Sequence, residues 1–454
     1  VGLIGHGPIT AYELISDNEE NNGMFGVAVA GIGDVNGDGL GDVVVGAPDE
    51  GPRPGPTGAG RAYFYSGVNG ELIRELASPN AEIFGGFGIA VANIGDVDDD
   101  GFDDVAIGAS NEDPGTSPSG AGRVHLFSGV DGVFIRTLLS PTEEPDGAFG
   151  ESVAGVPDLD DDGVGDVVVG APGESPELSP ERAGRVHVFS GATGDHIHEL
   201  AAPVQTFDVG FGSAVRGAED MDDDDMGEVL VGVPDESTTD TQRAGRAYVF
   251  SGQGGGLLYD LVSPNEELNG RFGWAVAGVG DLDGDMMGDF VVTARDETTS
   301  TTQQGGQAYV YSGATGDVLR ILLSPTPEAR GRFGSAVALV PDLDDDQVPD
   351  LIIGAEREQP DPGVADAGRV HVFSGATGTP IHTISSPNAE SGAGFGIAVG
   401  GVPDFTEDGQ GDLVVGAPRE DPGEVSNAGR AYTHDGFTGI HIVDNAVEDW
   451  ALYP

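Results

Sequence analysis

The dipeptide Phe-Gly returns at Phe25, Phe87, Phe149, Phe211, Phe272, Phe333 and Phe395, always 61 or 62 residues after the last. A second marker, Ala-Gly-Arg or a close variant, keeps step with it and brings in Arg61, Arg123, Arg185, Arg246, Arg369 and Arg430. Gln307 holds the arginine position of the fifth unit. So regular a period restricts the chain to a repeat architecture, in which each unit buries its apolar face only against its neighbours. No linker separates the units, and residues 1–454 therefore read as one domain. Within it, 25–434 carry the seven repeats, 1–24 a terminal closing or exchange strand, and 435–454 a C-terminal strand and tail.

Each unit contains four strand-like segments. The first, such as "FGVAVAGI", carries small residues suited to a crowded axis. The second, such as "DVVVGAP", is a continuous apolar run of the kind buried on both faces. The third, "GRAYFYSG" in the first unit, alternates and is rich in aromatics, and the fourth, "GELIRELASP", is polar enough for an outer edge. Glycine, proline and aspartate punctuate every junction, and no segment keeps a helical period. The expected fold is all-β: a seven-bladed β-propeller of four-stranded blades. The two ends leave one strand too many. "GPITAYELIS" near the start and "GFTGIHIVDNAVED" near the end both resemble a fourth strand, giving eight candidates for seven outer positions. Closure of the last blade by the N-terminal strand is the favoured arrangement. Exchange of a terminal strand with a neighbouring molecule, propagating into a filament, is the alternative.

Between the first and second strands every unit carries an acidic loop of the form Asp-x-Asp-x-Asp-Gly-x-x-Asp, with oxygen-bearing side chains at positions 1, 3, 5 and 9 and a carbonyl available at position 7. The first unit supplies Asp34, Asn36, Asp38, Leu40 and Asp42. The second supplies Asp96, Asp98, Asp100, Phe102 and Asp104, and the third Asp158, Asp160, Asp162, Val164 and Asp166. The fourth has Asp220, Asp222, Asp224, Met226 and Glu228, and the fifth Asp281, Asp283, Asp285, Met287 and Asp289. Asp342, Asp344, Asp346, Val348 and Asp350 belong to the sixth, and Asp404, Thr406, Asp408, Gln410 and Asp412 to the seventh. Like charges this dense repel unless a cation sits among them. Hard oxygen donors in a small flexible loop suit calcium, which accepts six to eight of them, better than magnesium, which demands strict octahedral geometry. The loop is similar to the first half of an EF-hand, but strands flank it and no glutamate stands at position 12. About seven calcium ions are expected. Units two and three, with four carboxylates and the glycine, should form the best sites. Units four to six replace that glycine with Asp225, Met286 and Gln347, and Thr406 replaces a carboxylate in unit seven, whose site should be among the weakest.

The 78 acids and 19 bases give a net charge of −59, which excludes nucleic acid and anionic membrane surfaces as partners. Calcium would offset only part of that charge, the remainder forming a solvated or salt-adapted surface. There is no cysteine, and no apolar run reaches the ~18 residues of a membrane-spanning helix. A start at Val1, without methionine or leader, fits a processed, exported chain.

A glutamate follows the "GAP" segment in every unit: Glu50, Glu112, Glu174, Glu236, Glu297, Glu358 and Glu420. It leaves strand two where the repeated arginine enters strand three, so a cross-strand Glu–Arg pair at the hairpin mouth is expected, individually worth little. His125, His187 and His371 share a strand-three position with Tyr63, Tyr248, Tyr309 and Tyr432, which marks aromatic packing and not a catalytic base. No nucleophile elbow, zinc-binding helix or phosphate loop is present, and no enzyme is expected. The loops between strands two and three vary most ("GPRPGPTG", "STTDTQR", "TTSTTQQ"), as recognition surfaces on a fixed scaffold do.

Phe-Gly, the acidic loop and "VGAP" together resemble the FG-GAP repeat of the integrin α-subunit propeller and its microbial relatives, over nearly the whole chain. The resemblance implies a seven-bladed propeller with calcium in the hairpins joining strands one and two. It also implies ligand contact at the opposite face, built from the 2–3 and 4–1 loops. The expected function is a calcium-binding extracellular adhesion or structural module with a protein or cell-surface ligand, itself included as a homo-oligomer or filament. The non-catalytic propeller of a hydrolase-type protein is the rival.

Overall fold

The structure is a computed structural model. It describes residues 12–51, 55–113, 118–175, 182–204, 209–344, 346–360, 363–406, 410–421, 423 and 425–435. Seven four-stranded antiparallel sheets stand in a ring, and no helix occurs among the described residues. The first blade comprises Ala28–Ile32, Asp42–Ala47, Arg61–Ser66 and Leu72–Ala77, numbered here from the axis outward. The second strand is buried at every residue in all seven blades, because the neighbouring blades cover both of its faces. That double cover explains why, after its opening acid, the strand is almost wholly apolar or glycine, as in Val43–Ala47 and Leu351–Ala355. The outer strand is mostly half-exposed, as its polar sequence requires.

The Phe-Gly motif bolts each blade to the one before it. The Phe87 N–H donates to the Ala59 carbonyl of the preceding blade at 2.9 Å, and Phe149 repeats the bond to Ala121 at 2.8 Å. The Phe87 ring meanwhile packs inside its own blade, 5.9 Å from His125 and 5.8 Å from Phe127 between ring centroids. The next residue must be glycine. Gly88 adopts φ +93°, and a Cβ there would lie 2.2 Å from the Arg61 carbonyl oxygen.

The ring closes through the same device. The Phe25 N–H donates to the Ala428 carbonyl of the seventh blade at 2.9 Å. That blade consists of Ala398–Val402, Asp412–Ala417, Arg430–His434 and, at its outer edge, the N-terminal strand Tyr12–Leu14. Tyr12 faces Thr433 and Leu14 faces Ala431 in antiparallel register. Leu14 is fully buried, Glu13 pairs with Arg430 at 2.8 Å, and Tyr65 of the first blade donates to the Ile15 carbonyl at 2.6 Å. The C-terminal candidate strand lies outside the described residues. Deleting residues 1–18 should yield a monomer with a markedly lower melting temperature. A deletion variant as stable as the parent, measured by calorimetry, would show that this strand does not close the ring.

Candidate metal centres

The acidic loops gather at the face where each first strand ends and each second begins. Position 1 organises the loop. Asp34 Oδ1 accepts the N–H groups of Asn36, Gly37 and Asp38 at 3.2, 2.7 and 3.1 Å, and its Oδ2 accepts that of Gly39 at 2.6 Å. Asp220 does the same in blade four, with Asp222, Asp223, Asp224 and Asp225 as donors at 2.8–3.3 Å. Position 9 is buried under the loop. Asp104 Oδ2 accepts Val97 N–H at 2.9 Å, while its Oδ1 accepts Gly129 N–H at 3.1 Å.

These bonds bring carboxylate oxygens together. In blade four Asp220, Asp222, Asp224 and Glu228 each offer an oxygen within 4.8 Å of the others. Positions 1, 3 and 9 converge equally in blades two (Asp96, Asp98, Asp104), three (Asp158, Asp160, Asp166) and six (Asp342, Asp344, Asp350), and positions 1, 3 and 5 in blade five (Asp281, Asp283, Asp285). Two oxygens bound to one calcium at roughly 2.3–2.6 Å lie at most about 5 Å apart, so the clusters have the span that a single ion requires. In blade one the Asn36 amide donates to Asp42 at 3.1 Å. In blade seven Asp404 accepts Thr406 N–H at 3.0 Å and Asp412 accepts Phe405 N–H at 2.7 Å. Asp408 lies outside the described residues.

A further residue joins the loop that the motif did not include. The serine closing strand three donates to the second oxygen of position 5: Ser128 to Asp100, Ser190 to Asp162 and Ser251 to Asp224, each at 3.2 Å. Its signal was present as a Ser-Gly recurring with the repeat period, in which the glycine N–H holds position 9. In blade seven Asp435 takes the serine's place.

Position 6 requires a left-handed backbone. Gly39, Gly101 and Gly163 have φ of +92°, +92° and +87°, and the replacements Asp225, Met286 and Gln347 are held at +68°, +73° and +71°. Met286→Gly and Gln347→Gly should each stabilise the fold by about 1 kcal/mol, the penalty a side chain incurs there, with Asp225→Gly gaining less. Denaturant unfolding is the check.

Burial, reinforced by the neighbouring loop acids, raises the position-9 carboxyls. Asp42, Asp104, Asp166, Asp289 and Asp350 are pushed up to about 6 and Glu228 to about 8. Without a cation the native state therefore holds protons here that the unfolded chain has lost above pH ~4, and stability falls as pH rises through 6. Melting in excess chelator should accordingly rise between pH 7.5 and 5.5. In saturating calcium the loops' contribution has the opposite sign, because protons displace the ion. Parallel curves in the two conditions would contradict a metal at position 9.

The expected Glu–Arg pairing is corrected by the structure. The repeated glutamates are buried, not surface groups, and their main partner is the strand-three aromatic. Glu112, Glu174 and Glu358 meet His125, His187 and His371 Nε2, each at 2.9 Å. Tyr309 donates to Glu297 at 2.6 Å and Tyr248 to Glu236 at 3.0 Å, and Tyr63 and Tyr432 bond Glu50 and Glu420. The arginines turn mainly outward to strand-four acids, as in Arg61–Glu75, Arg246–Asp260 and Arg185–Glu199. Arg246 and Arg369 also approach their glutamates, at 3.6 and 3.8 Å, and Gln307 at the arginine position of the fifth unit donates to Glu297 at 3.0 Å. The aromatic position is thus more than packing. A serine from the preceding blade's outer segment completes the chain of bonds, with Ser16 on Tyr63 at 3.0 Å and Ser263 on Tyr309 at 3.3 Å. Burial pushes Glu50, Glu236, Glu297 and Glu420 up to about 7, against the tyrosine hydrogen bonds that favour the ionised form.

Comparison with known proteins is consistent with this geometry. The FG-GAP repeat family matches residues 25–65, 87–127, 149–189, 333–373 and 395–434. Human integrin alpha-IIb is 36% identical over 166 residues, covering 34% of this chain and 15% of that protein. Human integrin alpha-6 is 36% identical over 172 residues, covering 36% and 14%, and integrin alpha pat-2 of Caenorhabditis briggsae is 30% identical over 243 residues, covering 50% and 19%. The matches thus span less than a fifth of each relative. Among solved structures, BBS1N, crystallised in complex with ARL6DN and soaked with lead, superposes with a TM-score of 0.54 at 12% identity, covering 93% of this chain and 96% of that one. That likeness is one of fold alone.

Proposed function

We propose that this chain, an FG-GAP repeat propeller with integrin α-subunit homologues, is a calcium-binding, extracellular module of adhesion or protein–protein interaction and not an enzyme. The observation that carries the reading is the division of labour between the two faces. One face repeats a carboxylate cluster of the span of a single calcium ion. The other presents the 2–3 loops, which change from blade to blade on an unchanging frame. Calcium bound in the hairpins would hold the first and second strands of each blade in register, and so present the variable loops from a rigid support. The N-terminal strand seated in its own seventh blade favours a closed ring over a filament built by strand exchange. No helix among the described residues is long and apolar enough to cross a membrane.

The test is adhesion of beads carrying the chain to cells of its source. Binding should require calcium and should fall when residues 237–242 and 299–304 are both replaced by Gly-Ser sequence, with melting temperature unchanged. Adhesion indifferent to chelator and to both loop replacements would contradict the proposal.

A further inference from the structure

Three blades carry histidine at the strand-three position that meets the buried glutamate, and each ring has a second nitrogen to satisfy. In blades two and six that nitrogen meets a threonine. His125 Nδ1 lies 2.8 Å from Thr137 Oγ1 and His371 Nδ1 2.9 Å from Thr383 Oγ1, each threonine standing directly opposite its histidine on the outer strand. Blade three departs from this arrangement twice. Glu199 takes the threonine's place opposite His187, and the residue opposite Phe189, next to the bulge, is His196. Five other outer strands carry Leu72, Phe134, Leu257, Val318 and Pro380 there.

The two changes act together. His187 Nδ1 faces His196 Nε2 at 3.2 Å, with the ring centroids 5.4 Å apart. The His187 ring is fully buried, and its Nε2 lies 2.9 Å from Glu174 Oε2. With Glu174 as acceptor, Nε2 carries the ring's N–H and Nδ1 is left bare. His196 also hydrogen-bonds to the His198 backbone. Where that bond takes the single N–H of a neutral imidazole, His196 Nε2 is bare as well, and two lone pairs face one another. Such a pair is repulsive until a cation comes between them. A proton satisfies it, and so does a metal ion.

We propose that His187 and His196 form a site for a divalent transition-metal ion, zinc by preference, completed by Glu199. Two imidazole nitrogens held at roughly 2.0–2.1 Å by one tetrahedral zinc lie about 3.3 Å apart, close to the separation found here. The Glu174 carboxylate behind His187 is the outer-shell partner that metal-ligating histidines ordinarily have, fixing the tautomer and aiming Nδ1. Glu199 stands directly across from His187, its side chain 39% exposed and approached by Arg185 at 3.6 Å through one nitrogen, so it can turn to the ion. Water takes the remaining position, because His196 lies at the surface. The nitrogen donors separate this site from the acidic loops: imidazole suits zinc, copper and nickel, whereas calcium requires oxygen. The site stands at the outer edge of blade three and does not depend on the calcium reading.

Zinc is titrated into the full chain in excess calcium, which keeps the acidic loops occupied, and uptake is read by calorimetry. One zinc per chain should bind with micromolar affinity. His196→Leu installs the residue of blade one at an exposed position. His187→Tyr installs the residue that bonds the same glutamate in blades one, four, five and seven, so both variants should fold. Each should weaken binding roughly tenfold or more, at least what the loss of an outer-shell partner costs. His125→Tyr, in a blade whose second ring nitrogen meets threonine, should leave binding unchanged. Cobalt in place of zinc should give the visible absorption of a four-coordinate ion, lost in both blade-three variants. Binding that is equal in parent and blade-three variants, or that occurs only after calcium is removed, overturns the site.

Discussion

Excess chelator should lower the melting temperature of the chain prepared in calcium by roughly 10–15 °C. Each loop that binds an ion only in the native state adds about 2.7 kcal/mol when calcium stands a hundredfold above its dissociation constant. Unfolding entropy of about 2.1 cal/mol/K per residue makes 1 kcal/mol worth about 1 °C in a chain of this length. The five converged carboxylate clusters, emptied together, give the stated shift. The cause is electrostatic. With the ion gone, three or four carboxylates remain within 4.8 Å of one another, and the buried position-9 group must either ionise among like charges or take a proton. Calorimetry in calcium and in chelator reads the difference directly, and coincident melting curves would sink the claim.

The second large effect falls on the buried Glu–aromatic pairs. His125→Phe removes the Nε2 partner of Glu112 and leaves a fully buried carboxyl without it, at a cost of about 3 kcal/mol. His125→Tyr should cost under about 1 kcal/mol, because Tyr63, Tyr248, Tyr309 and Tyr432 bond the same glutamate in the other blades. Denaturant unfolding separates the two. If phenylalanine and tyrosine are equally tolerated, the pair contributes only packing. The His125 Nδ1 contact with Thr137 Oγ1 at 2.8 Å is lost in both variants, and so does not confound the comparison.

The blades were legible because their causes are written locally. The Phe-Gly period fixes the number of units, and the apolar run beginning at Asp42, Asp104 or Asp166 can be satisfied only between two covering sheets. The acidic loops were legible for the same reason, since alternate side chains of one short turn must converge. The Glu112–His125 pair was not. Its members stand on different strands, and a charged residue beside a loop gives no sign in sequence that the segment leading in from the preceding blade will cover it. The clue was a coupling, in which a glutamate fixed in every unit faces a position that accepts only tyrosine or histidine. Ser128 was missed because its partner Asp100 lies 28 residues away across a strand pair. That Arg216 stands where the other six blades carry alanine or glycine became visible only when the register placed it opposite Leu230.

The central claim is that the loops hold calcium, and its most direct measurement is metal content. The chain, dialysed in micromolar calcium and freed of unbound ion, should retain about seven calcium ions by elemental analysis. Titration should resolve a tight class that Asp220→Ala and Asp158→Ala each reduce by one. A chain that retains less than one calcium, with the two variants indistinguishable from the parent, would contradict it.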